Sequence, residues 1–263
     1  MPISRVSLDE LTIVDEASFA HVAAYAQLKR ALRSTDHRFL VPTQGSQVSW
    51  DRAAFLNLTF WNAEASADVL CEDSIPADVV AHIAWHQLAG PQLARLVPDV
   101  DRAPSAAALF FAEAIASAFD LYLVGRLLRN VPDSDFIETQ VAIMGEAAEQ
   151  AGLDEADFTA LLESVVDDPE RAFEDLRELL FDVTRALVAC RDAIEAQLVF
   201  ERFAEHRFEP LLHHYQLSNW VLYARAYASV SPEQERAVLE LDATLRAAPV
   251  ALVWLIEHWL HDQ

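Results

Sequence analysis

The chain has 263 residues, 53% of them apolar, five glycines and a net charge of −23. So apolar a chain is not disordered, and it is long enough to bury a sizeable core in one large domain or two small ones. The acidic excess excludes nucleic acid and anionic membrane surfaces as partners, because phosphates are repelled; a basic protein partner stays open, and acidic helix faces also serve plain solubility.

Scarce glycine with abundant Ala, Leu and Glu favours helix over sheet. The expectation is a mainly α protein, a multi-helix bundle with a small mixed N-terminal part. Asp15 to Arg33 reads as an amphipathic helix carrying Phe19, Val22, Ala26 and Leu28. Phe39 to Trp61 is the least helical stretch, with turn residues and a Phe, Leu, Thr and Trp mixture, and any sheet is expected there.

Ala77 to Ala89, ADVVAHIAWHQLA, is the next helix. Pro76 and Asp78 suit its start, and Gly90 with Pro91 should end it. His82 and His86 lie four residues apart on it, so both rings rise from one face and can share an ion. Val79, Val80, Ile83, Ala84, Trp85 and Leu88 leave almost no polar side, which predicts a buried helix. Buried imidazoles need hydrogen-bond partners or a metal.

Gly90 to Pro104 holds three prolines and reads as the loop of a helical hairpin. The run Ser105 to Arg129 follows, apolar apart from Glu113, Ser117, Asp120 and Tyr122 until Arg126. Glu113, Ser117 and Asp120 form one stripe, and no lysine or arginine lies within a turn of Glu113. A carboxylate buried among Leu and Phe must meet something positive. A divalent cation held by His82, His86 and Glu113 satisfies all three, and two His plus one Glu is a zinc ligand set with an open position. Ser117 and Asp120 are then placed to support those ligands.

ADVVAHIAWH followed by AEAIAS resembles the zinc core of thermolysin-like metallopeptidases, the gluzincins, over about fifty residues. By that resemblance His82, His86 and Glu113 are the ligands. Three departures bear on activity. The glutamate of H-E-x-x-H, the general base, is replaced by Ile83, which takes no proton. The aspartate that orients a ligand histidine falls at Ser117, with Asp120 one turn further on. The gap from His86 to Glu113 is also longer than the family pattern. The resemblance therefore implies a metal-binding core with impaired or absent peptidase activity.

Pro132 breaks the chain and suggests two parts, 1–131 and 132–263. Beyond it lie helices over Phe136 to Gln150, from Asp154 to Val166, and a very long run from Asp168-Pro169 through His206. Pro210 kinks or ends that run; Leu211 to Ala228, Ser231 to Ala247 and Pro249 to Leu260 complete the bundle. Glu205, Glu209, His213 and His214 form a second polar cluster. Bundles with inward Glu and His bind di-iron centres, so an iron oxidase is an alternative, as is one of these residues reaching the first site from the other half. A third reading is a non-enzymatic protein binding a partner through its acidic surface. Cys71 and Cys190 lie far apart, the opening MPISRVSLDEL lacks an apolar leader, and APVALVWLIEHWL is shorter than the roughly twenty residues a bilayer needs. A cytoplasmic protein is the expectation.

Overall fold

A computed structural model describes residues 3–42, 68–70, 72–97 and 103–260. The protein is mainly α-helical with a small mixed N-terminal part. Most of the stretch from Phe39 to Trp61, and Cys71, lie outside the described residues.

The strands are β1 (Ile3–Val6), β2 (Thr12–Val14), β3 (Phe39–Pro42), β4 (Asp68–Val69) and β5 (Ser74–Pro76). β3 pairs antiparallel with β1 and parallel with β4, while β2 pairs parallel with β5 in the register Thr12↔Ser74 and Ile13↔Ile75. Sheet was expected only within Phe39 to Trp61, so β1, β2, β4 and β5 correct that expectation. Their partners lie far along the chain, and so short a segment gives no periodic signal of its own. The helix expected over Asp15 to Arg33 is also divided. Asp15 is left-handed (φ 55°), Glu16–His21 is a 3₁₀ turn, and α1 is Ala23–Ser34. The Asp15 carboxylate accepts from the Ser18 hydroxyl and, at 3.4 Å, from the Phe136 amide, which holds the break.

β5 runs directly into α2 (Ala77–Arg95), so the wholly buried Ile75 fixes where that helix begins. Gly90 and Pro91 do not end it; the helix continues one further turn. Pro91 removes one backbone bond, costing about 3 kcal/mol. Burial of Leu88 before it and Leu93 after it offsets that, at about 1.5–3 kcal/mol each. α2 thus takes in the first six residues of the stretch Gly90 to Pro104 that was expected as a loop.

α3 (Ala106–Asn130) is the central element and packs on α2. Its other main neighbours are α5 (Glu155–Asp167), α6 (Pro169–Val188) and α9 (Pro232–Ala247). Ser105 caps it, accepting from the Ala108 amide at 3.3 Å, while the Ser105 amide donates to Gln234 at 2.6 Å and ties the start of α3 to α9. Among the described residues α3 alone is long and apolar enough to cross a membrane, yet 94% of that apolar window is buried by its neighbours. α4 (Asp135–Gln150) and α5 begin at the capping side chains of Ser134 and Asp154. One contiguous apolar core runs across the boundary expected near Pro132.

The long run expected from Asp168 to His206 is two helices. α6 ends at Val188, and Asp192 caps α7 (Ala193–Glu201), accepting from the Glu195 amide at 2.9 Å. Arg225, on α8 (Leu217–Tyr227), donates to the carbonyls of Leu187, Val188 and Cys190. A guanidinium from another helix thus satisfies the carbonyls that a continuing helix would have used. Before α8, Glu209–Tyr215 forms a 3₁₀ turn with Pro210 at its start. α10 (Ala251–Leu255), continued by a π-turn over Ile256–Leu260, closes the bundle.

Candidate metal centre

α2 and α3 pack side by side, and this brings the polar residues of both into one place. His82 and His86 are half-buried; Glu113 is buried, at 8% exposure. His82 Nε2 lies 3.2 Å from His86 Nε2 and 3.7 Å from Glu113 Oε1, and His86 Nε2 lies 3.1 Å from Glu113 Oε2. Among the described residues these three form the one group whose ligand atoms converge as for a metal ion.

The two further residues expected to support them contact them. Asp120 accepts from His82 Nδ1 at 2.9 Å. A carboxylate only accepts, so this bond places a hydrogen on Nδ1 and leaves Nε2 to face His86 and Glu113. The Ser117 hydroxyl donates to Glu113 Oε1 at 3.5 Å, a weak contact. Ile83 is wholly buried in the apolar core.

Burial works against charge on both sides of the cluster, and the partners outweigh it. Burial pulls the His82 imidazole down, but Asp120, Glu113 and Asp78 raise it to about 9. Burial pushes Glu113 up, but His86 and His82 hold it below its ordinary value. The metal-free cluster is therefore an imidazolium–carboxylate arrangement, and a cation entering it replaces a proton. Asp78, a helix-start residue by its position in the sequence, also acts on His82. It stands one turn before His82, as His82 stands before His86, and that spacing was the signal available. Burial and the charge of Asp120 raise it to about 6.

The second cluster is not assembled in the same way. Glu205 and His213 are exposed, and His213 stacks on Phe200 with centroids 6.3 Å apart. Glu209 opens the 3₁₀ turn, half-buried, and His214 turns inward. Among the described residues no three of these converge on a point, as a di-iron site would require. Burial pulls the His214 imidazole down and pushes the neighbouring Tyr215 hydroxyl up. Compared with protein-family models, with curated proteins and with solved structures, the chain matches none.

Proposed function

We propose that this chain is a divalent-metal-binding helical protein whose centre is His82, His86 and Glu113. The observation that carries this reading is the spacing of three ligand atoms. Tetrahedral zinc with bonds of about 2.0–2.1 Å places its ligands about 3.3 Å from one another. The separations here are 3.1, 3.2 and 3.7 Å. Two imidazoles and one carboxylate favour zinc, with iron the alternative ion. When bound, such an ion supplies Lewis-acid chemistry at the position the protein leaves open.

The chain's own residues fix the ligands. Asp120 sets the tautomer and tilt of His82, and Ser117 leans on Glu113. The first of these roles resembles that of the aspartate which orients a ligand histidine in the gluzincin core. At the position of that core's general base, Ile83 holds no proton, so the reading is of a metal-binding protein without the peptidase's own base. Elemental analysis of the purified protein tests it. About one zinc per chain is expected, lost in His82→Ala and in Glu113→Gln with the helical circular dichroism retained. A protein that takes up no zinc, or variants that bind it unchanged, would overturn the reading.

A further inference from the structure

α7 is the helix that the fold leaves most open. Its sequence, AIEAQLVFE, is mostly apolar, yet Val199 is its one buried residue. Ile194 stands 75% exposed and Leu198 55% exposed. With Glu201, also exposed, they follow i, i+4, i+7 and form a single outward stripe. Val199 and the half-buried Ala196 and Phe200 hold the opposite side against the core. Asp192 caps the start of α7, and Arg191 beside it bonds to Glu195, so the stripe is carried on a fixed helix start rather than a frayed end. Leu198 also walls a groove lined by Ala186, Ala189 and Cys190 at the end of α6.

Charge decides what can cover this face. Two molecules of net charge −23 repel each other over most of their surface. Around α7 the signs are mixed, with exposed Arg191 and Arg202 among Asp192, Glu195 and Glu201. They are also ordered: Arg191 lies three residues before Ile194, and Glu201 three residues after Leu198. Let two copies of α7 cross antiparallel about a two-fold axis midway between Ile194 and Leu198. Ile194 of each copy then meets Leu198 of the other, and Arg191 of each meets Glu201 of the other. A parallel pairing would set Arg191 against Arg191. We propose that the outward stripe of α7 is a homodimer interface, occupied by a second copy of this chain with α7 packed antiparallel on α7. Both apolar side chains leave water there, the small residues beside Leu198 allow the helices close approach, and two opposite-charge pairs fix the register.

Sedimentation velocity of the full chain at about 0.15 M salt tests this. Wild type is expected to pass from monomer to dimer between roughly 1 and 300 µM, the range of a small interface. Ile194→Ser combined with Leu198→Ser, both at exposed positions, should weaken the dimer about a hundredfold with the helical circular dichroism retained. Glu201→Arg alone should weaken it about tenfold by setting like charges opposite each other. Adding Arg191→Glu to Glu201→Arg should recover most of that loss, which a merely structural role of either residue would not do. Wild type that stays monomeric up to roughly 300 µM overturns the proposal and leaves the stripe to a different protein. A dimer unchanged by the two serines places the interface elsewhere and overturns it too. A charge swap that recovers nothing overturns the antiparallel register, and with it the reason for choosing a second copy.

Discussion

Asp78 is where the electrostatics of single residues become measurable as stability. Its carboxyl stands at about 6 in the folded chain against an ordinary 3.8, through burial and the nearby charge of Asp120. An acid raised on folding costs stability once ionised, so its burden is absent below about pH 4, grows through pH 6 and is complete above that. Asp78→Asn should therefore stabilise the metal-free protein at about pH 8, by about 1–2 kcal/mol after allowing for partial exposure, and leave it unchanged near pH 4. Thermal unfolding at the two pH values checks this; an equal gain at both would contradict it. Gly125 gives a second test. A Cβ there would stand 2.6 Å from the Val165 carbonyl and 3.0 Å from Pro169, backbone and ring that do not yield. Gly125→Ala should cost about 1–3 kcal/mol in denaturant unfolding, although alanine favours a free helix by about 1 kcal/mol.

At the scale of elements, helix starts were set locally and some helix ends were not. Ser105, Asp154, Asp168 and Ser231 each cap a helix with their own side chain, and the sequence marks each start. The end of α6 has no glycine or proline to announce it. Arg225 makes it, by taking the last carbonyls from α8. Arg225→Met should free that turn at a cost of about 1–2 kcal/mol. Hydrogen exchange should then lose protection at the α6 C-terminus while α3 keeps its own. α6 is also tied to α9 through Arg177, wholly buried between Asp242 at 2.6 Å and Glu174 at 2.7 Å. Arg246 bridges the same Asp242 to Glu178 and Asp182.

At the scale of the molecule, the core is apolar and the shell strongly negative. A charge of −23 repels itself in the compact state, and salt screens that repulsion within about 10 Å at moderate ionic strength. Raising sodium chloride from about 0.02 to 0.5 M should raise the melting temperature by about 2–4 °C, roughly 1 kcal/mol at this size. A fall would mean that the exposed ion pairs outweigh the self-repulsion.

The sequence by itself determined the helical class, most helix starts and the shared helix face of His82 and His86. Each of these follows from residues within a turn or two of one another, where composition, capping and period act directly. Tertiary structure decided the rest: the passage of α2 through Pro91, the β2–β5 pairing, the break after Val188, the bond from His82 to Asp120 rather than to a residue at position 117, and the inward turn of His214. In each of those a local preference met a partner from a distant part of the chain. Buried area or an unsatisfied polar group then outweighed it, and no spacing in the sequence records who that partner is.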